Sequence, residues 1–354
     1  MNRLHVIIPA GGVGSRLWPL SRKDRPKFLL DLRMSGKSLL QETIDRLAPI
    51  AASFTIVTGR AHEQAVRAQI PQGLDITVLV EPQGRDSMPA IGLAAYVIRQ
   101  RFGDEAPIAS FAADHAITHP QVLLDCVERA LEVAQKGYVV TIGLRPLTPS
   151  TAYGYIAPGE PFEMESPEKG SIVRSFVEKP DEETAKQYCE QGYLWNAGMF
   201  IMTAGTLARA LTRFHPDMDT HLSAIGSQWG SESFAQTLSE EWPTLTKIAI
   251  DHAVAEPLAS EGGVAVVPAT DMGWTDVGDF DALAQISSEG QALRIDSPDS
   301  FVRSLTGQKI VLVGAPNMAV IATEDAILVV DRNRAQDVKH VVDQLTQSGE
   351  EELL

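Results

Sequence analysis

Cysteine is nearly missing: the 354-residue chain carries two, Cys126 and Cys189. They stand far apart and form no metal-spaced pair, which excludes a zinc ribbon and a disulfide-stapled fold. Both read as small buried apolar residues of a protein kept in a reducing compartment. Long apolar runs are missing as well, since none approaches the roughly 18 residues that a membrane-spanning helix needs. The short apolar stretch "LHVII" at the N-terminus precedes no cleavage-type sequence, so a cytoplasmic protein without a membrane partner is expected. Positive charge is scarce: 30 Lys and Arg face 46 Asp and Glu, a formal charge of −16. Such a surface repels phosphate backbones, which argues against a nucleic-acid partner. No low-complexity segment or evident internal repeat is present.

Against that acidic background one stretch stands apart. "IIPAGGVGSRLWPLSRKDRPKFLLDL", from Ile7, ends an apolar run on a glycine cluster and then sets Arg16, Arg22, Lys23, Arg25 and Lys27 close together. Glycines let backbone N–H groups approach an anion, and cations can neutralise it. Arg22, Lys23 and Arg25 read as a solvated basic face.

Hydrophobic periodicity supplies the frame. "LHVIIPA", "FTIVTG", "DITVLVE", "PIASFAADH" and "YVVTIGL" read as buried strands. They alternate with helices at "SLLQETIDRL", near His62 to Gln69, at "MPAIGLAAYVIRQRF" and at "QVLLDCVERALEVAQKG". This alternation predicts a doubly wound, mostly parallel, Rossmann-like α/β sheet. After Thr148 come the strands "YGYIAPG", "SIVRSFVEKP", "NAGMFIM" and "GVAVVPA", with helices around 182–191 and 206–214. A break near Ser287–Pro298 leads to "SFVRS", "KIVLVGA", "MAVIAT" and "AILVVDR", then the amphipathic helix "AQDVKHVVDQL". The expected domains are a catalytic one over 1–286 and a small β-rich one over 287–354.

Ligands of open α/β sheets bind beyond the carboxyl ends of the strands, where Gly11, Gly12 and Gly14 lie. A dinucleotide fingerprint fails because Leu17 stands where a third glycine belongs. A Walker A loop at "SGKS" fails because Asp31 replaces its first glycine; Ser38 and Gln41 are spaced as a helix capping box instead. What remains is a polyphosphate cradle served by Arg16 and Lys27.

The string GG-x-G-S-R-L-W-P-L-S-R-x-x-x-P-K resembles the signature of sugar-1-phosphate nucleotidyltransferases, and is most similar to their mannose-1-phosphate guanylyltransferase branch. "EPQGRDSMPAIGLAA", "ADHAI", "TAYGYI", "FVEKPD", "WNAGMF", "IDHAVAE" and "GWTDVGDFDAL" follow in family order along almost the whole chain. The resemblance implies a glycosyltransferase-A-like sheet and attack of a sugar 1-phosphate on the α-phosphorus of a nucleoside triphosphate, here mannose 1-phosphate on GTP. It implies Arg16 and Lys27 as catalytic cations, and Asp114 and Asp276 as ligands of Mg²⁺, whose preference is for hard oxygens. Ala10, Gly11, Gly12, Gly14, Ser15, Glu81, Arg85, Pro89 and Ala90 would meet the nucleotide. Gly154, Glu178, Lys179, Asn196 and Gly198 would meet the sugar phosphate, and a homodimer follows from family habit. One carboxylate at Glu81 can accept from both adjacent donors of guanine. His115 reads as a packing residue beside Asp114, while His5, His62 and His119 receive no role.

Asp86 stands where asparagine is common, Phe28 for glutamine, Ala112 for proline, Ala152 for glycine and His252 for tyrosine. These departures touch base and sugar specificity more than the reaction. They leave open the same chemistry on another nucleotide or sugar, such as glucose 1-phosphate, and a non-catalytic sugar-nucleotide sensor. A nicotinamide oxidoreductase is disfavoured by the missing glycine.

Overall fold

A computed structural model of the chain describes residues 4–162, 169–177, 179–287 and 292–354. Its strands up to residue 287 are β1 (Leu4–Ala10), β2 (Ala51–Gly59), β3 (Ile76–Glu81), β4 (Pro107–Ser110), β5 (Ala116–Ile117), β6 (Val139–Leu144), β7 (Gly154–Pro161), β8 (Ser171–Val177), β9 (Leu194–Thr203), β10 (Val264–Ala269) and β11 (Trp274–Thr275). All but β5 and β11, which pair with each other, form one nine-stranded sheet in the order β3-β2-β1-β4-β9-β6-β10-β8-β7. Strands β8 and β9 run against the other seven. Periodicity could not foresee that reversal, because a buried apolar run looks the same in either direction.

The helices are α1 (Leu39–Leu47), α2 (Glu63–Ala68), α3 (Ser87–Phe102), α4 (Pro120–Ala134), α5 (Glu182–Glu190), α6 (Ala204–Phe214), α7 (Pro216–Ser227), α8 (Phe234–Glu241), α9 (Glu256–Ala259), α10 (Phe280–Ile286) and α11 (Val338–Ser348). Strand β1 shows how the layers close. Ile7 turns to one face, under Leu93 of α3 and Leu207 of α6, while Val6 and Ile8 turn to the other, under Ile44 of α1 and Val127 of α4. Each such aliphatic side chain contributes about 1.5–3 kcal/mol by leaving water. Ser38 starts α1 as its spacing predicts: Ser38 Oγ accepts from Gln41 N at 3.2 Å, and Gln41 Oε1 accepts from Ser38 N at 3.0 Å. Both cysteines are free, Cys126 fully buried. No described helix is long and apolar enough to cross a membrane.

Beyond residue 291 lie β12 (Ala292–Ile295), β13 (Phe301–Ser304), β14 (Ile310–Val313), β15 (Met318–Ala322) and β16 (Ile327–Asp331). Each of the first two lies parallel to a strand 18 residues later, Ala292 beside Ile310 and Phe301 beside Ala319. This is a coil whose repeat is geometric, with no matching residue pattern, so the sequence shows no repeat there. It also converts part of the expected break into β12. A third apolar cluster joins the two ends of the chain: Leu17, Trp18 and Leu20 pack with Phe280, Phe301, Ile321 and Val338.

Candidate active site

The parallel strands deliver the signature turn to the carboxyl edge of the sheet. Ala10 closes β1, and Gly11 and Gly12 follow with their backbone exposed. Gly14 must be glycine for two reasons. Its φ is +76°, and a Cβ there would lie 2.9 Å from the aliphatic stem of Lys27. Lys27 N donates to the Val13 carbonyl at 3.1 Å and Ser21 Oγ to the Gly14 carbonyl at 2.6 Å, which closes the loop on itself. Ser15 and Arg16 form the first residues of a single 3₁₀ turn, Ser15–Leu17.

Lys27 is the junction of the site. Its ammonium donates to Asp114 Oδ2 at 2.8 Å and to the Asp276 carbonyl oxygen at 2.7 Å. The Asp114 carboxylate and the Asp276 backbone, 162 positions apart by number, thus meet at one ammonium. Burial pushes the Asp114 carboxyl upward, but Lys27 and His115 outweigh it and hold it below the usual carboxylate range. Asp276 Oδ1 accepts from Tyr153 Oη at 3.2 Å and from Gly278 N at 3.1 Å. Among the described residues no three carboxylate, imidazole or thiolate groups gather as a metal cage. A hard divalent ion between Asp114 and Asp276 would therefore complete its shell with phosphate and water, which is how Mg²⁺ is usually held. His115 packs edge-on against Trp274, whose Nε1 donates to His115 Nδ1 at 3.2 Å. Burial pushes that imidazole down. It also lines the cavity that Asp276 and Asn196 face.

At Asp114 opens a cavity of about 450 Å³ that includes Gly11, Gly12, Ala90 and Glu81. Glu81 ends β3, is 7% exposed, and its Oε2 is buried without a partner. Burial raises its carboxyl to about 7. Gly11 leaves room above it, for a Cβ there would come within 3.6 Å of Glu81 Oε1. Phe28 and Asp86 also line this cavity, and Asp86 caps α3 by accepting from Ser87 N at 2.8 Å. Pro89 is buried in the first turn of α3 rather than on the cavity wall. The structure does not bring Arg85 to the cavity: its guanidinium donates to the carbonyls of Leu245 and Pro243 and ties down that loop. Lys247, carried by the same loop, lines the cavity instead, with no motif to announce it.

A second cavity, of about 290 Å³, includes Gly154, Asn196, Gly198 and Asp276; it shares Pro9 and Ser87 with the first, and Lys27 lines neither. Asn196 is held on three sides. Its Nδ2 donates to Asp251 Oδ1 at 2.5 Å, and its Oδ1 accepts from Thr141 Oγ1 at 3.2 Å and Gly198 N at 3.1 Å. Gly198 has φ +65°. Asp251, Tyr153 and Trp274 also face this cavity; they sit in quoted motifs yet received no role from the sequence. Lys179 turns at φ 44° just past β8, and Glu178 lies outside the described residues. His252 faces away, paired with Glu256 at 2.9 Å.

The basic run divides differently from its expected solvated face. Lys23 and Arg25 are exposed, but Arg22 pairs with Asp325 at 2.8 Å, lies over the Trp18 ring and donates to the Leu353 carbonyl. It fastens the signature turn to the C-terminal strands.

A family model described as nucleotidyl transferase matches residues 5–292, and one described as mannoseP isomerase/GMP-like beta-helix domain matches residues 290–345. Mannose-1-phosphate guanylyltransferase of Escherichia coli strain K12 is 35% identical over 99% of this chain and 75% of its own length. That of Salmonella muenchen is 36% identical with the same coverage, so the chain spans about three quarters of these relatives. A solved structure from Thermus thermophilus, named mannose-1-phosphate geranyltransferase, superimposes with a TM-score of 0.82 at 32% identity, over 98% of this chain and 100% of that one. A UDP-glucose pyrophosphorylase shares the fold at 18% identity and a TM-score of 0.52, over 80% of this chain and 97% of its own.

Proposed function

Because the chain belongs to the nucleotidyl transferase family, in its mannose-1-phosphate guanylyltransferase branch, we propose that it converts GTP and mannose 1-phosphate to GDP-mannose and pyrophosphate in the cytoplasm. The observation that carries this reading is Lys27, whose ammonium bonds Asp114 of the first cavity and the backbone carbonyl of Asp276 of the second. Two phosphorylated substrates, one per cavity, would bring their reacting phosphates together there.

The attacking phosphate is ionised at neutral pH, so the protein need supply no nucleophile. Positioning and charge neutralisation suffice. Gly11 and Gly12 would present backbone N–H groups to the triphosphate, Lys27 would sit at the α-phosphate, and Arg16 would take the charge gathering on the departing pyrophosphate. Asp114 and Asp276 would hold Mg²⁺, which when bound offsets the negative charge that both substrates carry. Glu81 would receive the N1–H and N2–H of guanine on its orphaned oxygen and its neighbour. Adenine has an acceptor at that edge and would leave the carboxylate unpaired. Asn196, Asp251 and the backbone at Gly154 and Gly198 would receive mannose hydroxyls, with Glu178 and Lys179 serving the same sugar phosphate.

Dimerisation belongs to this reading. Leu293 and Ile295 of β12 stand beside Val311 and Val313 of β14, all 48–65% exposed, an apolar face in an acidic chain. A second copy would cover it, and light scattering should return the mass of two chains. The decisive experiment on the activity incubates the purified protein and Mg²⁺ with four nucleoside triphosphates against mannose, glucose and galactose 1-phosphates. GDP-mannose should form fastest. Product from a different pair alone, or binding without turnover, would reject the proposal.

A further inference from the structure

The C-terminal segment puts a side chain of its own on the proposed catalytic arginine. Arg16 Nη1 donates to Gln336 Oε1 at 2.6 Å. Gln336 Nε2 donates in turn to Asp279 Oδ2. Asp279 caps α10, its Oδ1 accepting from Ala282 N at 3.0 Å, only three residues after Asp276. The 3₁₀ turn that carries Gln336, Arg332–Asp337, is itself fixed: Arg332 pairs with Asp281 at 2.7 Å and donates to the Asp299 carbonyl at 2.7 Å. Leu17 and Trp18, next to the arginine in its turn, pack in one cluster with Ala335 and Val338. One motif, "GWTDVGDFDAL", therefore supplies both a metal-type aspartate and the two anchors of this foreign turn.

The chemistry of residue 336 is informative. A carboxylate there would neutralise Arg16 and compete with a triphosphate for it. An amide oxygen takes one N–H and leaves the guanidinium charge whole, while the amide nitrogen is pinned by Asp279. We propose that Gln336 is a positioning residue for Arg16, fixing its fork in place without cancelling its charge. The proposal rests on the reading that Arg16 stabilises the leaving pyrophosphate.

The test is a double-mutant cycle on the full chain, read by steady-state kinetics in both substrates. Gln336→Ala should lower kcat about 10-fold with the KM for mannose 1-phosphate unchanged, the pattern of an interaction made in the transition state. Gln336→Glu should lower kcat similarly and also raise the KM for GTP about 10-fold, because its charge competes with phosphate. In an Arg16→Ala background, Gln336→Ala should change turnover by less than about 2-fold, since the arginine through which it acts is gone. An undiminished loss in that background, or a rise in both KM values with a lowered thermal midpoint, would overturn the positioning role. Should Arg16→Ala alone turn over at the wild-type rate, the reading of Arg16 itself fails and the proposal falls with it.

Discussion

The cavity proposed for the nucleotide ends on Glu81, whose Oε2 is buried and partnerless, whereas in the cavity proposed for the sugar Asn196 is bonded to Asp251 and Tyr153 to Asp276. The contrast has energetic consequences. An orphaned carboxylate is satisfied only by a ligand with the right donors, so a wrong base leaves a desolvated charge behind and is rejected steeply. A network that is already paired keeps its shape whichever sugar enters, and each of its bonds exchanges for another. Discrimination among nucleotides should therefore exceed discrimination among hexose phosphates.

The comparison breaks most completely at the cation that bonds one residue of each cavity. Lys27 is 8% exposed and touches Asp114 and Asp276. Lys27→Met keeps its length and removes the charge that would neutralise the α-phosphate. A loss of about 10³-fold in turnover is expected, the scale for removing one preorganised charge donor. The fall should be equal for every nucleotide and sugar tried. If only one substrate's KM moves, Lys27 serves one substrate alone and its joint role is a misreading.

The members of that junction were named through the resemblance, because the glycine turn and the two aspartate motifs stand in family order, but their meeting at Lys27 was not. The strand alternation and the capping box of α1 were legible directly, each being a pattern of a few residues. Other contacts were not. Gln336 lies 320 positions from Arg16 and belongs to no motif, so only the packing of chain ends reveals it. Lys247 reaches the nucleotide cavity because Arg85 anchors its loop. A sequence pattern can name Arg85 but cannot say that its fork is spent on backbone carbonyls. The reversed β8 and β9 and the 18-residue coil are likewise geometric facts without a residue signature.

A narrower cut tests the nucleotide side alone. Glu81→Gln leaves one acceptor and adds a donor, so the side chain can no longer receive both guanine protons. The kcat/KM for GTP should fall about 10²-fold while that for ATP barely changes. The raised carboxyl adds a pH signature. With its level near 7, Glu81 takes up a proton as pH falls through neutrality, and the KM for GTP should climb there in the wild type and stay flat in the glutamine variant. The sign for stability without nucleotide is opposite. Between the ordinary carboxylate range and about 7 the folded protein holds a proton that the unfolded chain releases, so stability falls as pH rises through that window. Thermal midpoints across pH should show this slope in the wild type and lose it in Glu81→Gln.

The mildest cut falls on the paired side. Asp251 accepts from Asn196 Nδ2 at 2.5 Å, a charge-assisted bond that holds the amide in place while its oxygen takes Thr141 Oγ1 and Gly198 N. Asp251→Asn keeps the size and one accepting oxygen, so the bond weakens from charge-assisted to neutral without vanishing. The difference between the two kinds is about 1–1.5 kcal/mol, which corresponds to roughly 10-fold in affinity. The KM for mannose 1-phosphate should rise by that factor with the KM for GTP unchanged, because Asp251 and Asn196 line one cavity and Glu81 the other. Glucose 1-phosphate should weaken in proportion, since a loosened network loses its grip on hydroxyls in general. A change confined to mannose would mean that Asp251 reads one particular hydroxyl, and the sugar side would then share the specific, ligand-dependent logic of Glu81.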